Sequence, residues 1–155
     1  MVLSEIREQV CDTILSRLQQ ATFLTSVGDA LHFVTLGRRL RLFDDVATDQ
    51  QPAAFLVEHD ETYEQPNRGL PPKRIMTLSI FCYARAEIGS TVGGTIINSM
   101  VGAIEQILLP DDQQAQVCTL GGIVHWCRIE GRIFKDPGDL DSQAMLIVPL
   151  RVMIP

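Results

Sequence analysis

Between residues 75 and 84 the chain reads Ile-Met-Thr-Leu-Ser-Ile-Phe-Cys-Tyr-Ala, and this alternation restricts the fold more than any other feature. A strand sends successive side chains to opposite faces, so Met76, Leu78, Ile80 and Cys82 fall on one side and Thr77, Ser79, Phe81 and Tyr83 on the other. The first set needs a covering layer; the second is partly wet or meets a neighbour. Helices able to supply that layer are written nearby. Val2, Ile6, Val10, Ile14 and Leu18 recur every four residues, with Leu3, Cys11 and Leu15 beside them, which predicts an amphipathic helix over residues 4–20. Glu5 and Glu8 then lie at the positive end of its dipole. A second helix is expected to start at a Ser90-Thr91 cap, bury Ile96, Ile97, Met100, Val101, Ile104, Ile107 and Leu108, and stop at Pro110. Gly102 on its polar side suggests a close approach to another element.

Three further strands are expected. Residues 53–59 are β-compatible after Pro52, and the polar stretch 60–73, with Pro66, Gly69, Pro71 and Pro72, reads as a long loop or the tip of an extended hairpin. Residues 119–133 predict a strand bent at Gly121-Gly122 and Gly131. Residues 143–153 are apolar on both faces, which predicts cover on both sides, while Pro149 predicts a bulge or an edge. Residues 21–51 read mostly as loop, with a short strand over 31–36. The resulting order is α-β-β-α-β-β, with no repeat and no linker. This is an α+β fold: a mixed, mostly antiparallel sheet packed against two helices, in one domain over 1–155. At 155 residues such a domain buries roughly 68–70% of its unfolded surface, enough for a core without metal or disulfide staples.

Composition narrows function. A formal net charge of -6 argues against phosphate-driven nucleic-acid binding over the surface as a whole, leaving local basic patches open. The apolar run 144–150 is too short to span a bilayer, and the N-terminus lacks a basic and apolar leader, so the expectation is no membrane association and a chain that stays in the cytosol. Cys11, Cys82, Cys118 and Cys127 show no C-x-x-C spacing and read as small buried hydrophobes. No phosphate-binding loop, nucleophile elbow, zinc-protease or dinucleotide motif is present. His32, His59 and His125 stand near no recognisable nucleophile, and His125 with Cys127 on one strand face and Cys118 nearby lacks a further ligand. Gly93-Gly94 reads as a flexible turn rather than an anion cradle. Glu58, Asp60, Glu61 and Glu64, like Asp136, Asp139 and Asp141, read as solvated loops. The expectation is no catalytic residue, no cofactor and no metal.

Particular strings then carry a resemblance. Phe33-Val34-Thr35 leads into Arg38-Arg39; Gln51-Pro52-Ala53-Ala54-Phe55-Leu56-Val57 precedes a polar loop closing on Pro72-Lys73-Arg74; Thr119-Leu120-Gly121-Gly122, Ile129-Glu130-Gly131 and Val148-Pro149-Leu150 follow. In this order and spacing the chain resembles the tail terminator (minor tail) proteins of long-tailed bacteriophages and prophages. The resemblance implies a mixed sheet against two helices and a structural, non-enzymatic role. Such proteins form a hexameric ring that caps the tail tube, stops its polymerisation and presents a surface to the head connector. The implied partners are further copies of the chain, the major tail tube protein and the head-completion or connector protein. DNA passes through the lumen without specific binding, and the free protein is a monomer or a ring. The implied location is the head-proximal end of the virion tail, after synthesis in the bacterial cytoplasm.

The acidic balance suits a conduit that does not hold phosphates, and it is equally a common solubility device. Contacts with neighbours are expected from the basic group Arg38, Arg39 and Arg41 and from the 60–73 stretch with Glu61, Tyr63, Glu64, Arg68, Lys73 and Arg74. Phe81 and Tyr83, or Trp126 and Val124, suit a subunit interface or the chain's own helices. Two alternatives stay open: another neck or head-completion protein of the same virion, and a cytosolic enzyme or small-ligand-binding domain.

Overall fold

Both periodicities carry through to the backbone. The structure, a computed structural model, describes residues 5–24, 30–65, 67–85 and 93–155. In chain order it contains α1 (Ile6–Gln20), β1 (Thr22–Leu24), β2 (Ala30–His32), β3 (Thr35–Gly37), β4 (Ala53–Glu64), β5 (Lys73–Arg85), α2 (Gly93–Ile107), β6 (Trp126–Ile129), β7 (Phe134–Asp136) and β8 (Gln143–Ile154). The fold is α+β. In the main sheet β3, β4, β5, β8 and β6 lie side by side, with β7 pairing β8 next to β6. β3 runs parallel to β4 and the other neighbours are antiparallel.

One sheet face is closed by the helices. Met76, Leu78, Ile80 and Cys82 of β5 and Ala144, Leu146, Val148, Leu150 and Val152 of β8 are buried against Val10, Cys11, Ile14 and Leu18 of α1 and Ile97, Met100 and Ile104 of α2. Each fully buried aliphatic side chain contributes roughly 1.5–3 kcal/mol, so this layer is the main source of stability. Glu5 caps α1, accepting from the Arg7 N–H at 2.8 Å. The expected Val2, Leu3 and Ser4 positions, and the Ser90-Thr91 cap, lie outside the described residues. Gly93 and Gly94 are the first residues of α2 itself, not a turn before it.

Several expectations change. The 21–51 stretch holds three short strands and two single turns of 3₁₀ helix, at Phe43–Asp45 and Thr48–Gln50, rather than one strand over 31–36. β4 runs on through the polar residues to Glu64, because they pair with the opening of β5, down to Glu64 opposite Lys73. The predicted 119–133 strand shrinks to β6, and β7 begins just after it. Leu120, Gly121 and Gly122 have φ of 51, 78 and 94°, which no extended strand accommodates. Gly102 approaches nothing within 4 Å.

β8 is buried on its helix side alone; the opposite face, including Met145, Ile147 and Met153, is half-buried. The proline expectation is met without a bulge toward β5, where Ser79 stays in register with Pro149. The Pro149 carbonyl accepts from the Glu130 N–H at 3.2 Å, so its imino side also faces the gap between β6 and β7. There the missing N–H interrupts no ladder.

Candidate interaction surfaces

Arginine placement separates internal clamps from free surface. Glu58 follows Ala54 and Leu56 on the helix side, opposite Leu78, and a bulge between Glu58 and Asp60 then changes the alternation of β4, so that Glu61 stands opposite Met76 on the same side. Two carboxylates thereby point toward α1. Arg38 bridges Glu8 of α1 and Glu58 of β4. Arg7 donates to Glu61, and to the Tyr63 hydroxyl at 3.3 Å. The Cys11 thiol donates to Glu58 at 3.1 Å. Burial first, and the Glu58 carboxylate second, push that thiol up to about 12, so it is protonated at neutral pH and no nucleophile. Arg38 and Glu61, expected at an interface, are tied into their own fold, whereas Tyr63 meets Arg7 but stays exposed.

Arg41 is also engaged internally. Its guanidinium donates to the Asp45 carbonyl and its own carbonyl accepts from the Tyr83 hydroxyl at 2.8 Å. Tyr83 packs beside Phe43 and Phe55, with ring centroids 5.3 and 5.7 Å away. With Val46 and Ala53 they make a second small core on the sheet face away from the helices, and Phe81 is packed against it. The 43–46 turn therefore covers the aromatics that alternation left without a partner. Tyr83 is buried by this chain rather than offered to another. Val124 enters the main core, whereas Trp126 is half-buried with the Arg128 guanidinium 4.0 Å above its ring.

Arg39, Glu64, Arg68, Lys73 and Arg74 make no ion pair among the described residues. Apart from Arg39 they belong to one feature. β4 and β5 form a hairpin arm at the end of the sheet: β5 stays paired with β8 as far as Arg74 opposite Ile154, while the outer strand β4 is exposed from Glu58 onward and the turn at 67–70 lies outside. Tyr63 and Leu70 are 60% and 50% exposed on it. Glu61, Tyr63, Glu64, Arg68, Lys73 and Arg74 thus gather on the arm.

The conceivable metal cluster comes apart: His125 precedes β6 and is exposed, while Cys127 is buried opposite Cys118. No group of three metal-binding side chains occurs among the described residues. Burial pushes the Cys127 thiol up to about 12. His59 meets the Ser79 hydroxyl at 2.8 Å. No helix among the described residues is long and apolar enough to cross a membrane.

Sequence reading missed Asp111. Its carboxylate accepts from the Thr119 N–H and hydroxyl, both at 2.7 Å, and from the Gly121 N–H at 3.0 Å. Arg17 stands 3.6 Å away and donates to the Ile107 carbonyl at the end of α2. Partial burial opposes ionisation of Asp111, but those hydrogen bonds and the Arg17 charge outweigh it and hold the carboxyl at about 2. A carboxylate followed by Thr and Gly-Gly eight to eleven positions on was the available signal.

Compared with known proteins, the chain matches no protein-family model and no curated protein.

Proposed function

We propose that this chain is a structural ring subunit of the tail terminator kind, capping a phage tail tube and joining it to the head connector. The observation that carries the reading is the hairpin arm. It holds its outermost cations without an internal ion pair, on a rigid sheet anchored by two helices, as a contact device between subunits requires. The sequence resemblance and the α+β order agree with each other. A net charge of -6 suits a lumen through which DNA moves without being held by ion pairs.

Tube polymerisation tests it. Purified protein added to assembling tail tube subunits halts growth at fixed length, and labelled protein sits at the head-proximal tail end. Unchecked tube growth overturns the terminator reading, and binding to connector alone transfers the protein to the neck.

A further inference from the structure

The two ends of the sheet differ in charge. The arm apex carries Arg68, Lys73 and Arg74 against one carboxylate, Glu64, which stands opposite Lys73. The far end combines two turns. Residues 44–49 hold Asp44, Asp45 and Asp49, and residues 136–141 hold Asp136, Asp139 and Asp141. The Gln143 side chain joins them, donating to Asp44 at 2.9 Å. Cations at that end are committed: Arg41 to the Asp45 carbonyl, Lys135 to Asn98 at 3.0 Å, and Arg85 over the Phe43 ring. The thirteen-residue β5 runs from one end to the other, a span of roughly 40 Å.

Each end also bears uncovered apolar side chains. Leu42 and Leu140 are 72% and 102% exposed at the acidic end, and Leu70 is 50% exposed at the basic apex. Gly138 fixes the turn that presents Leu140: its φ is +69° and an added Cβ would lie 2.6 Å from the Gln143 backbone. An apolar centre with a charged rim is the composition of a docking surface, and here the two rims have opposite sign.

We propose that these ends are mutually complementary and that the occupant of each is a second copy of this chain, apex to acidic end. Like ends repel, so identical ends do not pair, and docking at one end only gives a head-to-tail contact. In that arrangement each molecule keeps one end free, and the contact closes into a ring or continues as a filament; an antiparallel pair using both ends stops at a dimer, which the solution mass distinguishes. This deepens the ring reading above and rests on it only for closure.

The test is the solution mass of the full 17.2 kDa chain, as a function of concentration and salt. Association is expected at low salt, where screening extends over about 30 Å, and should weaken at least tenfold at high salt, where it falls to about 3 Å. Arg68→Glu with Lys73→Glu makes both ends acidic; Asp45→Lys with Asp139→Lys weakens the acidic end toward the basic sign. Those aspartate side chains accept no hydrogen bond among the described residues, so the fold keeps its own contacts. Each double variant alone is expected to lose association at least tenfold, and an equimolar mixture to regain a pair, through the unchanged apex of one variant and the unchanged acidic end of the other. A wild type that stays monomeric at low salt, double variants that associate like wild type, or a mixture that does not regain association overturns the proposal. Tube capping that survives the loss of this contact leaves the terminator reading standing; charge-dependent association without capping leaves the contact standing and removes that reading.

Discussion

Asp111→Asn tests how the 117–122 turn is held, with a signature that depends on pH. One carboxylate oxygen takes the Thr119 N–H and hydroxyl; the other takes the Gly121 N–H and faces Arg17. Asparagine keeps one acceptor and turns an NH₂ toward a donor whichever way it flips, so at least one charge-assisted bond is lost. The depression from the ordinary 3.8 to about 2 corresponds at face value to a little over 2 kcal/mol. Water around a side chain that is 31% exposed reduces this to about 1–1.5 kcal/mol. For a chain of 155 residues the expected fall in Tm at neutral pH is roughly 2–6 °C. A folded-state value below the unfolded one means that the contribution is full above about pH 4 and is lost as pH falls toward about 2. Melting curves of wild type and variant should therefore lie apart at pH 7 and converge as pH approaches 2. An equal gap at both ends of that range, or none at neutral pH, refutes the assignment of the turn's stability to this carboxylate.

The adjacent arginines should behave unlike each other. Arg38→Ala breaks the bridge between Glu8 and Glu58 and should cost about 1 kcal/mol in urea unfolding, whereas Arg39→Ala should stay within about 0.5 kcal/mol. Tyr83→Phe leaves the Arg41 carbonyl without its donor and should cost about 1 kcal/mol; Phe43→Ala, which uncovers the second core, should cost about 3 kcal/mol by the same measurement. Two glycines should respond with opposite sign in thermal melts. Gly138→Ala puts a Cβ into the Gln143 backbone and should destabilise by more than about 2 kcal/mol, while Gly102→Ala, in open space within α2, should stabilise by about 0.5–1 kcal/mol.

What the sequence disclosed depends on whether the deciding partner lies nearby along the chain. The alternation of 75–84 and the four-residue spacing of 6–18 are local, and both placed their side chains on the observed faces. The polar end of β4 was not readable in the same way. One extra residue at His59 reverses the alternation, and that shift puts Glu61 on the same side as Glu58, where both meet arginines of distant segments. Read alone, the same carboxylates resemble any solvated run. The 119–125 segment misled in the other direction, because its β-forming residues are overruled by Asp111 and by three successive positive φ angles. Among the candidate contact residues, Arg38 and Arg39 are neighbours of identical type, and only the packing of α1 against β4 commits one and frees the other. The charge contrast between the sheet ends has the same origin. Asp44 and Asp141 are far apart in sequence, and pairing of β5 with β8 brings their turns to one edge, opposite the arm. For contact with a second copy the distribution of charge matters beyond its sum of -6, since the aspartates of 44–49 and 136–141 lie at one end of β5 and Arg68 and Lys73 at the other.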